Sequence, residues 1–188
     1  MPERRVWEHD KTLHAWWADD EGRVLAGQYP SAKDDPETTL TKLKLLTEAG
    51  INTIIDLTRD TEGLTPYAGH LHLTAVEGRG PIKRISHPIR DVDVTTAEHY
   101  DRIIDDIEAA LEAGEKVYIH CWGGVGRTGT VVGIWHVHRG LNPDQALDRI
   151  AAARQGTVRA DREAPETEPQ RAAIRAAHAR RNSHTRGA

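Results

Sequence analysis

His120-Cys121-Trp122-Gly123-Gly124-Val125-Gly126-Arg127-Thr128-Gly129 is the stretch on which the reading of this chain turns. Three glycines between Cys121 and Arg127 let the backbone curl until successive N–H groups point into one concavity, an anion nest. A helix opening directly after such a loop adds the positive end of its dipole. Cys121 stands at the start of the nest, where the same field favours thiolate over thiol. Arg127 closes the loop with a planar fork that matches two oxygens of a phosphate. Thr128 offers a hydroxyl within reach of the sulfur. A Gly-rich turn around a buried cysteine needs none of this company: no Arg after five intervening residues, no His before, no Thr behind.

The flanks agree with that placement. Lys116 to His120 is a short apolar run, read as a buried strand, and Thr128 to Arg139 reads as an apolar helix ended by Gly140. Further out, Val24 to Ala26 is a strand entering the turn Gly27-Gln28-Tyr29-Pro30. Asp35-Pro36 starts a helix through Leu40, Leu43 and Leu46 that stops at Gly50. Ile51 to Leu57 is a buried strand, Thr58 to Pro81 a run of loops with one helical turn, and Ile82 to Ile89 a second strand candidate. Thr95 or Thr96 caps an amphipathic helix through Ile103, Ile107 and Leu111. Asn142-Pro143 caps another helix to about Arg154, and Thr167 to Arg181 forms the last. Strands alternating with helices predict one α/β domain, its central, mostly parallel sheet flanked by helices, with the Cys121 loop between a strand and a helix. Ligands of such sheets bind beyond the carboxyl ends of the strands. The expected layout is an N-terminal extension over 1–20, the domain over 21–181 and a tail over 182–188.

The pattern His120, Cys121, Arg127, Thr128 resembles the H-C-x5-R-[ST] signature of the protein tyrosine phosphatase superfamily. The resemblance runs from about Val24 to Gln170, most closely to small dual-specificity-like phosphatases and their bacterial relatives. It implies a metal-independent phosphomonoester hydrolase that works through a phosphocysteine intermediate. Cys121 would attack phosphorus. Trp122, Gly123, Gly124, Val125, Gly126 and Arg127 would hold the phosphate oxygens. Thr128 would hydrogen-bond the sulfur as it leaves, and His120 would orient the loop. The family also supplies an acid from an Asp on a separate loop about thirty residues earlier. Pro88-Ile89-Arg90-Asp91 resembles the kinase-associated phosphatase branch, which makes Asp91 the preferred acid over Asp93. Read without the family, both are carboxylates of a turn or helix entry. Gln170 stands where some relatives carry a Gln that positions the hydrolytic water, and equally where a helix cap is needed. Tyr29, Arg59 and Tyr67 are weaker candidates for lining the pocket.

Two other readings use similar parts. A sulfurtransferase or an arsenate reductase also uses an anion-binding cysteine loop, but Arg127-Thr128 and the upstream Asp91 favour phosphate-ester chemistry. A binding module that holds a phospho-ligand without turnover usually lacks the Cys, the Arg or the acid, and this chain has all three.

Composition adds bounds. Net charge is −4, which gives no reason to expect nucleic acid as a partner. From Arg171 to Ala188 there are five Arg and no acid, read as a solvated helix fraying into a tail. With one Cys, no intramolecular disulfide is available, which suits a reducing cytoplasm. The first ten residues are charged and are not a signal peptide, and no apolar run reaches the ~20 residues of a membrane span. No cofactor is implied. His136 and His138 lie two apart on a helix and so face different sides, and His70 and His72 lack further ligands nearby, so no metal is expected. The variable loop positions, Trp122 to Val125, carry no basic residue. That points to one phosphoryl group, expected on phosphotyrosine in proteins (with phosphoserine or phosphothreonine as further protein substrates), with a small phosphorylated metabolite or an inositol phosphate as the alternative substrate. Oligomeric state is not legible.

Overall fold

In the computed structural model, which describes residues 5–185, five strands form one sheet. They are β1 (Ala15–Trp17), β2 (Val24–Gly27), β3 (Ile51–Asp56), β4 (Lys83–Ser86) and β5 (Lys116–His120), in the order β1-β2-β5-β3-β4. All neighbours pair parallel except β1 with β2. The helices are α1 (Pro36–Glu48), α2 (Ala97–Glu112), α3 (Gly126–His138), α4 (Pro143–Arg154) and α5 (Glu168–Thr185).

Period-two alternation sorts the strand side chains into two cores. Val24, Ala26, Ile55, Val117 and Ile119 face the side packed by α2, α3, α4 and α5. Leu25, Ile54 and Tyr118 face the other side, closed by Leu43 and Leu46 of α1 and by Trp7, Leu13 and Trp17. α3 is buried from Gly126 to Val137, with Arg127, Thr128, Thr130 and His136 enclosed among its apolar residues. It meets α5 closely because Gly133 has no side chain. A Cβ there would run into Ile174 of α5, which is itself fully buried.

The caps follow the sequence. Asp35 accepts from the Thr38 N–H to start α1, Thr96 from that of His99 to start α2, and Asn142 forms a capping box with Gln145 to start α4. Four boundaries differ. β1 lies within the segment read as an N-terminal extension; three residues are too few for periodicity to register, and only pairing with β2 makes them a strand. β4 keeps Lys83–Ser86 of the expected Ile82 to Ile89, because it is a partly exposed edge strand and the chain turns away after Ser86. The run 58–81 holds two short 3₁₀ helices, Asp60–Glu62 and Ala68–Thr74. α5 continues to Thr185, into the segment read as a tail, whose residues 186–188 lie outside the described residues.

Buried imidazoles tie this fold to pH. Burial holds His136 at about 4, with no hydrogen-bond partner for its Nε2. Burial likewise lowers His14, His99 and His120. A His that titrates lower folded than unfolded leaves the unfolded chain binding more protons, so stability is complete above about pH 6.5 and falls as pH drops toward 4. At pH 5 the His136 contribution alone is a loss of about 2 kcal/mol. Urea unfolding at pH 7.5 and pH 5 is expected to show at least that loss, reduced by a similar amount in His136→Leu. Equal midpoints at the two pH values would contradict the assignment.

Candidate active site

β5, the central strand, delivers His120 and Cys121 to the carboxyl edge of the sheet, and the loop through Arg127 turns there into α3. The loop is fixed from below. The Tyr29 N–H donates to the Trp122 carbonyl at 3.0 Å, and Gly124 adopts φ +71, open to glycine at little cost. A side chain at Gly124 would also collide with the Gly27 backbone, so strand β2 and the loop can approach only as they do. Among the described residues, no backbone N–H from Trp122 to Arg127 has an acceptor within the protein. Backbone donors in that condition call for an anion or water. Cys121 is buried at their head, 3% exposed.

Arg127 is 1% exposed and held on several sides. Its Nη1 donates to the Ile89 carbonyl at 2.9 Å and to Glu62 Oε1 at 2.6 Å. Its Nη2 donates to Glu62 Oε2 at 3.0 Å and lies 2.8 Å from Asp91 Oδ1. Burial opposes the charge, but Glu62, Cys121 and Asp91 together raise the guanidinium pKa above its ordinary value. Its Nε is buried without a partner.

Behind the loop lies a buried polar network. His120 Nδ1 is 3.0 Å from the Cys121 carbonyl, and its Nε2 is 2.7 Å from the Tyr67 hydroxyl. Burial lowers the His120 pKa, so the neutral ring donates from Nδ1 and accepts from Tyr67. Asp56, fully buried, accepts from Thr58 at 2.6 Å and from Arg84 Nε at 2.8 Å. Burial opposes ionisation there, yet His120, Thr58 and Arg84 keep its carboxyl below the usual range. Tyr29 stacks edge-on against Tyr67 and His120.

The expected site residues come together around the loop. Asp91 reaches Arg127, on a segment tied down by the His87 N–H to the Asp56 carbonyl and the Ile89 N–H to the Leu57 carbonyl. Asp93 instead accepts from the Val94 N–H at 2.8 Å. Gln170 is fully buried beside Gly126; its oxygen caps the N–H groups of Glu166 and Thr167, and its Nε2 donates to the Asp93 carbonyl. Thr128 Oγ1 is buried without a partner, so the bond to sulfur that the resemblance implies is not formed in this geometry. Tyr67 belongs to the buried network rather than to a pocket wall alone, while Arg59 and Arg84 line a cavity of about 260 Å³ next to Tyr29. Glu62, Asp56 and Arg159 are site neighbours that the sequence reading did not find, whereas Arg84 is among the basic residues it offers for the pocket. Glu62 alone left a local trace, as a carboxylate three residues after Arg59 that accepts from the Arg59 N–H at 2.7 Å.

A Cys121–Arg127 nest at the carboxyl edge of a parallel sheet, faced by an Asp loop, defines a protein tyrosine phosphatase superfamily domain. The chain belongs to the family PTP-SAK, described as a Swiss Army Knife protein, DSP-PTPase phosphatase domain, whose model matches residues 31–186. Among solved structures it is similar to Tk-PTP in its active form, at 26% identity and a TM-score of 0.71, covering 93% of this chain and 99% of that one. It shares the fold of the kinase associated phosphatase with its catalytic cysteine replaced by serine (18% identity, TM-score 0.69, covering 92% and 95%). It likewise shares that of PTPMT1 in complex with PI(5)P (16%, 0.69, covering 91% and 98%). An uncharacterised protein of Methanocaldococcus jannaschii, MJECL20, is 46% identical over 55 residues, 29% of this chain and 35% of that relative's length.

Proposed function

We propose that this protein is a metal-independent phosphomonoester hydrolase whose substrates are phosphotyrosine residues of proteins, with phosphoserine and phosphothreonine as secondary ones. The observation that carries the reading is the run of unpartnered N–H groups from Trp122 to Arg127, with Cys121 at its head and the free Nε of Arg127 at its end. A bound phosphoryl group satisfies these donors. Its oxygens compete for Arg127, releasing Asp91 to the leaving oxygen. The Cys121 thiolate then forms a bond to phosphorus as the ester P–O bond breaks, and Asp91 protonates the departing oxygen. Water attacks the phosphocysteine and gives its proton to Asp91, so inorganic phosphate and the thiolate are regenerated. His120 holds the Cys121 carbonyl, and Gln170 fixes the Asp loop through the Asp93 carbonyl.

The lone cysteine as nucleophile favours a reducing, cytoplasmic setting. No helix among the described residues is long and apolar enough to cross a membrane. A second reading, a small polyanionic phosphoester, is favoured by the basic side chains that the structure brings beside the loop, among them Arg59, Arg84 and Arg159. PTPMT1, captured with PI(5)P, shares this fold. Hydrolysis of an aryl phosphate in EDTA tests the main reading. Turnover is expected to persist with the chelator and to stop with vanadate, which mimics five-coordinate phosphorus. A phosphotyrosine peptide should exceed both its phosphoserine counterpart and an inositol polyphosphate in kcat/KM. Absence of turnover, or its loss with EDTA, would refute the mechanism.

A further inference from the structure

Beside the nest loop, lined by its Trp122, lies a cavity of about 350 Å³. Tyr29 and the Trp122 ring, which is 58% exposed, form aromatic walls. Lys33, Lys42 and Arg159 line it together with Ser31, and no lining residue is acidic. The three cations come from separate parts of the chain: the turn before α1, α1 itself and the segment after α4. Arg159 donates to the Gly123 carbonyl at 2.8 Å and to Gln28 Oε1 at 3.3 Å, so it is seated on the nest loop through neutral acceptors. Lys42 is 8% exposed and donates to the Ser31 carbonyl at 2.9 Å. Burial and then the Arg159 charge lower the Lys42 pKa, with Asp35 opposing weakly. Asp35 itself is committed to capping Thr38. Among the described residues none of the three cations has a carboxylate in ion-pair contact.

Like charges held together beside a buried ammonium, with no acid in ion-pair contact, are unfavourable in the free protein. An anion bound there removes that cost. We propose that this cavity is a second anion subsite, taking the carboxylate of an acidic residue that flanks the phosphotyrosine of a peptide substrate. The occupant follows from geometry. Neither Cys121 nor Arg127 lines the cavity, whereas Trp122 of the nest loop does, and Arg159 joins the two through the Gly123 carbonyl. Neighbouring residues of an extended peptide, each advancing by about 3.3 Å, offer a carboxylate at several distances from one phosphotyrosine, whereas a ring holds its phosphates at one fixed spacing. The inference rests on the proposed phosphotyrosine specificity and adds a sequence preference to it.

Binding to Cys121→Ser protein tests the subsite without requiring turnover. Fluorescently labelled phosphotyrosine peptides carry Glu at the two residues before the phosphotyrosine, or at the two after it, and are compared with Gln counterparts. One of the acidic peptides is expected to bind about tenfold more tightly than its neutral partner, the effect of one well-placed charge pair worth about 1.4 kcal/mol. The ratio should shrink as salt rises and fall toward one in Lys33→Gln. Arg159→Gln should do the same, though it also frees the Gly123 carbonyl. Lys33, which has no such contact with the loop, is the deciding variant. Equal affinities for acidic and neutral peptides would overturn the proposal, as would a ratio unchanged by Lys33→Gln. Tighter binding of an inositol polyphosphate than of any acidic peptide, lost in Lys33→Gln, would overturn the peptide as occupant. Turnover of aryl phosphate by the unaltered protein is read separately, so a failure of the hydrolase reading is distinguishable from a failure of the subsite.

Discussion

Replacing Cys121 by Ser is expected to reduce aryl phosphate hydrolysis below detection while leaving the fold unchanged. Serine has nearly the same shape, so the buried position closes as before. A hydroxyl is far harder to ionise than a thiol, so the nest still binds the phosphoryl group but no nucleophile of comparable strength attacks it. Arg127→Lys keeps the charge and is nonetheless expected to cost about 10²–10³ in kcat/KM, the usual effect of losing a preorganised donor to developing negative charge. The physical reason is the number of partners. The guanidinium serves Glu62 through two nitrogens, the Ile89 carbonyl and Asp91, and still has Nε free. An ammonium has three donors and no planar fork, so it cannot hold that scaffold and grip two phosphate oxygens together. Steady-state kinetics with thermal melts of each variant check both statements. Normal turnover by Cys121→Ser, with the fold intact, would remove the nucleophile assignment.

Asp91→Asn is expected to lower kcat by about 10²–10⁴, the ordinary contribution of a positioned general acid, and to flatten the basic limb of the pH–rate profile. Asp93→Asn should cost much less. The two carboxylates differ in what they touch: Asp91, half exposed, reaches the phosphate clamp, whereas Asp93 closes a turn on the Val94 N–H. Folding stability should change little in Asp91→Asn, since an exposed partner contributes only about 0–1 kcal/mol. The kinetic loss should shrink for esters whose leaving groups need no proton. If Asp93→Asn proves the more damaging, the acid is Asp93, and the contact between Asp91 and Arg127 serves only to hold the clamp.

How far each of these assignments was legible before the fold was known depends on sequence separation. The nest was readable because its chemistry is contiguous: Cys121, three glycines and Arg127 within one turn between a strand and a helix. The helix starts were readable for the same reason, since Asp35, Thr96 and Asn142 cap N–H groups only three residues away. Asp91 came from resemblance and from spacing along the chain, and its contact with Arg127 was not legible from either. The partners that hold the site were not readable. Glu62 meets Arg127 across 65 residues, Tyr67 meets His120 across 53, and Asp56 meets Arg84 across 28. No periodicity links such pairs; parallel pairing of β3 with β4 and β5 brings them together.

Substrate charge shows the difference most sharply. From the loop residues alone, Trp122 to Val125 without a basic side chain, the expectation is a site equipped for one phosphoryl group. In the folded chain Arg159 sits on the Gly123 carbonyl, and Lys33 and Lys42 lie beside it. Thus the sequence by itself determined the α/β class, the helix caps and the residue pattern of the Cys121 loop, because each is written in residues close along the chain. Which carboxylates grip Arg127, how His120 is held, and how much positive charge surrounds the substrate were decided by the tertiary structure. Those properties belong to side chains that meet only when the sheet closes, and electrostatic energy depends on distance in space rather than along the chain.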